Sequence, residues 1–180
     1  MKISLSGLPA TGKTTFGVML ATSLKMALVC EAAADLAMLG ANVGPAMTFE
    51  TLAAIMLVQM ARESEFAEDF VTDRGPLDML AYARILRHHA TQATSNLISS
   101  SIETVARSWL ERAHYDLIVY HDALCGARGS EMKQRNSEYL KQLAECFESI
   151  IADLQLDVVR MPGDLTVEAR CSLITNMLVQ

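Results

Sequence analysis

Hydrophobic and polar positions follow two patterns along the chain, and the first consists of short, nearly continuous apolar runs. They lie at 2–6, 27–31, 69–73, 116–120 and 156–160. Few polar positions alternate within these runs, which is typical of parallel strands covered by helices on both faces. The pattern therefore predicts five buried strands.

The second pattern consists of longer segments with apolar residues at helical spacing, of which "TFETLAAIMLVQMARE" is an example. Ser100 and Glu103 are predicted to form a capping box, and Asp164 to cap the last helix. The predicted helices span 13–25, 48–63, 77–91, 100–113, 136–153 and 165–178. Strands and helices alternate without a linker or repeat, so residues 1–180 are expected to form a single α/β domain, a three-layer sandwich with a five-stranded parallel sheet between helices.

Composition narrows the class of protein. The 180 residues are 51% hydrophobic, enough for a core on both faces of a sheet. The apolar runs are shorter than the roughly 18 residues of a membrane span, and the N-terminus lacks a signal-peptide pattern, so a cytoplasmic protein without membrane contact is expected. The four cysteines have no metal-binding spacing and are expected to be reduced. A net charge of −6 favours small substrates over broad binding to nucleic acid.

The stretch "GLPATGKT" at 7–14 fits the phosphate-binding P-loop, GxxxxGK[ST]. It lies between the first predicted strand and the first predicted helix, as this loop requires. Backbone N–H groups and the start of the helix are expected to surround the phosphates of ATP, Lys13 to reach the outer phosphates, and Thr14 to bind Mg²⁺. The predicted nucleotide-binding residues of the loop are Gly7, Leu8, Pro9, Ala10, Thr11, Gly12, Lys13, Thr14 and Thr15.

Charged residues follow three other predicted strands, at the sheet edge where ligands bind in this fold class. Glu31 is a candidate base toward a substrate hydroxyl, the alternative being a solvated glutamate at a helix start. Asp73 is a candidate Mg²⁺ ligand and Arg74 a phosphate ligand, the alternative being an Asp–Arg pair that closes a turn. Asp122 follows a strand like that of a Walker B motif and is a second candidate for organising Mg²⁺, or a turn residue.

Basic residues are concentrated in "CGARGSEMKQRNSEYLKQ" at 125–142, within an otherwise acidic chain. Arg128, Lys133 and Arg135 are expected to lie on a small lid, approximately 123–137, that closes over the triphosphate and excludes water. Arg128 is predicted to assist catalysis, and Arg128 and Arg135 to bind the nucleotide. The alternative is a solvated basic loop.

Five segments in order, "GLPATGKTT", "VCEAAADL", "TFETLAAIMLVQMARE", "VTDRGPLDMLAYA" and the arginine-bearing 125–143, give the chain a family resemblance. It resembles the small P-loop kinases of nucleosides and nucleotides, especially the nicotinamide-riboside-kinase-like group, and more distantly deoxynucleoside and thymidylate kinases. The resemblance implies a P-loop fold that binds ATP and Mg²⁺, with Glu31 facing the acceptor and Asp73 and Arg74 after the third strand. The group commonly has an arginine soon after the strand-two glutamate, whereas this chain has Ala34 in "EAAADL".

The chain is therefore expected to be an ATP- and Mg²⁺-dependent kinase of a nucleoside, nucleotide or related small acceptor. One alternative is DNA modification, in which a kinase acts on polynucleotide or on a modified base in phage DNA. Another is a non-catalytic regulatory protein that binds a nucleotide, although the chain has no "NKxD" stretch for guanine. The apolar helices at 48–60 and 100–113 are candidates for a homodimer contact.

Overall fold

The computed structural model describes residues 1–67, 69–89, 93–122 and 126–178, without the side chains of 93–96, 126–133 and 135. This part of the chain forms one five-stranded parallel sheet with helices on both faces, in the strand order β2-β3-β1-β4-β5. The strands are β1 (Lys2–Gly7), β2 (Ala27–Val29), β3 (Phe70–Asp73), β4 (Leu117–His121) and β5 (Val159–Arg160). The helices are α1 (Lys13–Leu24), α2 (Ala32–Met38), α3 (Phe49–Ser64), α4 (Pro76–His89), α5 (Ala93–Ala113), α6 (Gly126–Asp153) and α7 (Val167–Leu178), with a 3₁₀ turn at Gly44–Ala46.

The central strand β1 is buried between two neighbouring strands. It pairs with β3 on one side and β4 on the other, and Ile3 and Leu5 are fully buried. The register sets Leu5 opposite Asp73 and Gly7 opposite His121. The carboxyl ends of β1, β3 and β4 therefore meet at the edge from which the glycine loop leaves the sheet.

Two hydrophobic cores cover the two faces of the sheet. One lies under α3, α4, α5 and α6 and includes Leu52, Trp109 and Phe147. The other lies under α1 and α7 and includes Phe16 and Ile174. The predicted three-layer α/β sandwich is thus confirmed.

Several predicted element boundaries were wrong. α2 was not predicted as a separate helix, and α5 begins at Ala93, so Ser100 lies inside a helix and forms no capping box. The hydroxyl of Thr166, rather than Asp164, accepts a hydrogen bond from Ala169 N at the start of α7 (3.3 Å). α6 begins at Gly126 instead of 136 and breaks at Asn136, where φ is −135° and ψ is 33°.

The predicted lid at 123–137 falls partly on residues 123–125, which lie outside the described residues. Its remaining part is the first portion of α6, up to and just past the break. No helix among the described residues combines the length and apolar character needed to cross a membrane.

Candidate nucleotide and acceptor site

The glycine loop is held closely against the end of β4. Gly7 has φ 127°, and a Cβ at this position would lie 2.1 Å from the carbonyl oxygen of His121. Leu8 N donates a hydrogen bond to the same oxygen (3.0 Å). Gly12, with φ 81°, turns the loop into α1. Both positions have backbone angles that favour glycine, which explains their place in the motif.

Lys13 closes the loop from within. Its Nζ donates to the carbonyl oxygens of Gly7 (3.0 Å) and Leu8 and to the hydroxyl of Thr11 (3.2 Å). The side chain is buried, and burial together with nearby Arg74 lowers its pKa to about 7. These three oxygen atoms accept the hydrogen bonds that Lys13 Nζ would otherwise donate to phosphate oxygens.

Thr14, at the start of α1, and Asp73, at the end of β3, contact each other. Thr14 Oγ1 donates to Asp73 Oδ2 at 2.5 Å. Asp73 Oδ1 is buried and has no hydrogen-bond partner among the described residues, and burial raises the pKa of this carboxyl. A hydroxyl beside an unpartnered carboxylate oxygen fits Mg²⁺, which prefers oxygen ligands and usually keeps several waters.

Arg74 connects the loop to the other charged residues. It has a left-handed backbone (φ 77°) and a buried guanidinium. Nε donates to Glu31 Oε1 at 2.5 Å, while Nη1 donates to Asp78 Oδ1 at 2.8 Å and to the Gly7 carbonyl at 3.3 Å. Arg74 therefore bonds to Glu31 and Asp78, not to its neighbour Asp73 as a simple turn-closing pair would.

Asp78 is a site residue that was not predicted. It is fully buried, and besides Arg74 its carboxylate accepts from the backbone N–H groups of Gly7 (3.3 Å) and Gly75 (3.4 Å). The sequence contains no clear signal for this contact, because Arg74 precedes the helix on which Asp78 lies and helical spacing does not relate the two residues. Asp78 joins the glycine loop to the start of α4.

Two further polar residues outside the predicted set position this site. Gln59 Oε1 accepts from Ala32 N (2.8 Å) and its Nε2 donates to Thr72 Oγ1 (3.0 Å), which connects α3 to the start of α2, next to Glu31, and to β3. Arg170, on α7, donates to the carbonyl oxygen of Thr11 at 3.0 Å. From the sequence alone, both residues are only polar positions within amphipathic helices.

Two cavities adjoin at the Glu31–Arg74 ion pair. One, of about 250 Å³, is lined by loop residues 10–15 and by both members of the pair. The other, of about 300 Å³, lies between the loop, α2, α3, α4 and α6 and is lined by the same pair. Glu31 and Arg74 thus stand at the boundary between a phosphate-binding loop and a second pocket.

Of the remaining predicted residues, Asp122 lies outside this cluster. Asp122 is exposed at the end of β4, whereas Asp73 contacts Thr14. The side chains of Arg128, Lys133 and Arg135 lie outside the described residues, so their predicted phosphate contacts stay predictions.

The fold is similar to that of small P-loop kinases of known structure. Deoxyadenosine kinase from M. mycoides with bound dATP is 19% identical, with 100% of both chains covered and a TM-score of 0.67. NadR in complex with NAD and AMP-PNP is 18% identical, with a TM-score of 0.71 over 99% of this chain and 50% of that one. Shikimate kinase from Aquifex aeolicus vf5 is 15% identical, with a TM-score of 0.53 over 99% and 96%.

A comparison with the curated proteins finds no match. At the identities of the solved structures, the likeness establishes the fold, and it confirms the predicted resemblance to the small P-loop kinases. The family model described as AAA domain matches residues 2–170, which include the glycine loop, Glu31, Asp73, Arg74 and Asp78. The chain therefore belongs to the AAA domain family.

Proposed function

We propose that the protein is an ATP- and Mg²⁺-dependent kinase that phosphorylates a nucleoside, a nucleotide or a related small acceptor. The observation that carries this proposal is the Glu31–Arg74 ion pair, which lines both the loop cavity and the adjoining pocket. An acceptor in the pocket would meet the γ-phosphate of a nucleotide in the loop at this pair.

The nucleotide side of the reaction is assigned to the loop. Backbone N–H groups of residues 10–15, which line the loop cavity, bind the phosphates, and Lys13 leaves the carbonyl oxygens of Gly7 and Leu8 to neutralise the outer ones. Thr14 and Asp73 are the residues that would hold Mg²⁺, which supplies charge neutralisation on the phosphates when bound. Arg128 and Arg135 are proposed to add positive charge from α6.

The acceptor side is assigned to Glu31 and Arg74. For a hydroxyl acceptor, its oxygen forms the bond to the γ-phosphorus while the bond from that phosphorus to the ADP oxygen breaks, and the hydroxyl proton passes to Glu31. Arg74 keeps Glu31 oriented through the 2.5 Å contact. For a phosphate acceptor no proton is taken up, and Glu31 only positions the acceptor.

The size and charge of the pocket support a small acceptor. It encloses about 300 Å³, the lower end of the range for small-molecule sites. Among the described residues that line it, Arg74 is the single Lys or Arg, and it is already paired with two carboxylates. A polynucleotide acceptor calls for a basic groove that tracks a phosphate backbone, and the described lining offers none. The named activities of structurally similar proteins, deoxyadenosine kinase among them, also favour a small acceptor.

The proposal is tested with labelled ATP, Mg²⁺ and separate panels of nucleosides, nucleoside monophosphates and DNA oligomers, followed by identification of the labelled product. With the acceptor found, Glu31→Gln is expected to lower turnover roughly 10²–10⁴-fold for a hydroxyl acceptor while ATP affinity stays within a few-fold. Glu145→Gln, at an exposed glutamate of α6, is the matched control and should change neither. Absence of transfer to every small acceptor would contradict the proposal.

A further inference from the structure

The polar side chains of the pocket beside Glu31 and Arg74 are grouped. Arg74 Cζ lies 5.6 Å from the ring centroid of Tyr82, and Arg74 Nε donates to Glu31 Oε1. Tyr139, on α6, lines the same pocket, and its hydroxyl is buried without a hydrogen-bond partner among the described residues. Burial, and then the nearness of Tyr82, raises the pKa of Tyr139, so the hydroxyl stays protonated and is available as a donor.

Asn136 belongs to the same group. It lines the pocket at the break in α6, three residues before Tyr139 in the chain. The group formed by Glu31, Arg74, Tyr82, Asn136 and Tyr139 is called the polar end below.

The rest of the described lining is apolar. Ala33, Met47, Leu52, Ile55 and Met79 are each no more than 9% exposed and bring only hydrocarbon or thioether groups to the pocket. They come from α2, the segment before α3, α3 itself and α4. This apolar half offers no side-chain donor or acceptor among the described residues.

From this division we infer that the acceptor is amphipathic, with its oxygen atoms gathered at the polar end and an apolar ring or hydrocarbon body in the apolar half. The inference rests on the proposed function and specifies its acceptor. A ring with hydrogen-bonding groups along its edge would lose water in the apolar half without gaining a side-chain partner, and each such loss weakens binding by roughly tenfold. Tyr139 is the binding residue that meets the oxygen-bearing end.

The test compares two ligands that differ only in the ring edge: thymidine and its deoxynucleoside isostere with a 2,4-difluorotoluene ring. Binding of each to the full chain with AMP-PNP and Mg²⁺ is measured by titration calorimetry. The isostere is expected to bind at least roughly tenfold more tightly. Equal or tighter binding of thymidine, or binding of neither ligand, would overturn the inference.

A substitution in the apolar half tests the contact itself. Met47→Gln introduces an amide at nearly unchanged volume and is expected to reduce the preference for the isostere several-fold. Met60→Gln, at a half-buried methionine that is not part of the pocket lining, should leave the preference unchanged. An unchanged preference in Met47→Gln would count against the inference.

The polar end is tested with Tyr139→Phe, which removes only the hydroxyl. Both ligands should bind roughly 3- to 10-fold more weakly, by the same factor, because the hydroxyl meets the sugar oxygens that they share. Tyr120→Phe is the matched control: its hydroxyl is also buried without a partner among the described residues, but Tyr120 does not line the pocket. Wild-type affinities in Tyr139→Phe, or a changed ratio between the ligands, would contradict the role given to Tyr139.

These binding measurements separate the two hypotheses. A preference for the isostere without any transfer of labelled phosphate to an acceptor would leave the pocket assignment standing and contradict the kinase proposal. Transfer of labelled phosphate to polar and apolar acceptors alike, with equal affinities, would leave the kinase proposal standing and contradict the pocket assignment.

Discussion

At the scale of single residues, Arg74 determines how the site is preorganised. A left-handed backbone is unfavourable for a residue with a Cβ, by roughly 1–2 kcal/mol, and persists only where the surroundings fix it. Here Arg74 N donates to the carbonyl of Leu5 (3.0 Å), and the guanidinium bonds to Glu31 and Asp78. The chain therefore holds Glu31 at the boundary of the two cavities before any ligand binds.

Removing the negative charge of Asp78 tests this arrangement. Among the described residues, Asp78→Asn leaves the buried Arg74 with Glu31 as its one remaining carboxylate partner, and the free energy of unfolding should fall by about 3–5 kcal/mol, the usual cost of breaking a buried pair. Urea denaturation provides the measurement. Asp153→Asn is the control, since its pair with Arg84 involves a carboxylate that is 55% exposed, and it should cost less than about 1 kcal/mol.

Lys13 makes nucleotide binding depend on pH. In the free protein its pKa is about 7, so at pH 8 most molecules carry a neutral amine. Phosphates favour the charged ammonium and raise this pKa, so ATP binding should take up close to one proton at pH 8 and much less at pH 6. Titration calorimetry in buffers of different ionisation enthalpy measures the uptake.

The control for this prediction is Lys13→Arg, which stays protonated and should abolish the uptake. Proton release, or equal uptake at pH 6 and pH 8, would show that Lys13 is already charged in the free protein.

Loss of the Lys13 charge should also stop phosphoryl transfer. Lys13→Ala is expected to lower turnover at least roughly a hundredfold, because it removes the loop's one positively charged side chain. Steady-state kinetics with the acceptor identified above provides the measurement, and circular dichroism confirms that the variant is folded. Near-normal turnover in a folded variant would contradict the kinase proposal.

The sequence predicted the glycine loop and the strand-end charges but not the residues that support them. Phosphate binding requires glycine, lysine and threonine at a fixed local spacing, so the roles of Lys13 and Thr14 can be predicted without a structure. Asp78 and Gln59 acquire their roles from partners that only folding brings near, since Asp78 binds Gly7 N across 71 positions. No local pattern encodes such a pair.

At the scale of elements, the site depends on how α2 and α3 are joined to β3. Gln59 is buried and connects Ala32 N, at the start of α2, to Thr72 on β3. Glu31 directly precedes this turn. The side-chain amide of Gln59 on α3 therefore sets the position of Glu31 at the start of α2.

Gln59→Met keeps the size of the side chain and removes both hydrogen bonds. Acceptor KM should rise and kcat should fall several-fold, while ATP affinity stays near wild type because the glycine loop is not touched. Gln142→Met on α6, where the amide bonds only to Glu138 among the described residues, is the control and should behave as wild type. Equal losses in acceptor and ATP binding would point to general unfolding instead.

The short apolar runs predicted all five strands, because helices cover both faces of the sheet, but the edge strands β2 and β5 are shorter than predicted. Periodicity predicted the helices less well where a helical segment is not amphipathic. α2, "AAADLAM", consists largely of small residues without a polar face, and the first turns of α5 are rich in serine and threonine, which read as loop. Tertiary packing, which periodicity does not contain, extends both segments into helices.

At the scale of the whole molecule, exposed apolar residues lie on the two helices predicted to form a dimer contact. Leu57 on α3 is 60% exposed, and Leu97 and Val105 on α5 are 72% and 36% exposed. The three line one shallow groove. The homodimer itself stays a prediction, which sedimentation velocity over a range of concentrations would test.

The last prediction follows from the expectation that the chain forms a single domain. The two cores lie on opposite faces of one sheet and share β4, which contributes Ile118 and Tyr120 to one core and Val119 to the other, so neither face can lose its packing while the sheet between them stays intact. Unfolding should therefore be a single cooperative transition.

The chain provides a local probe for this test, because its one tryptophan, Trp109, is buried in the core under α3–α6 and donates to Glu63. Its fluorescence reports on that face, whereas far-UV circular dichroism reports on all helices, α1 and α7 included. In urea the two signals should have the same midpoint, and AMP-PNP should raise both midpoints together, since it binds only the folded chain. Two separate midpoints would show that the faces unfold independently, and the prediction of one domain would be wrong.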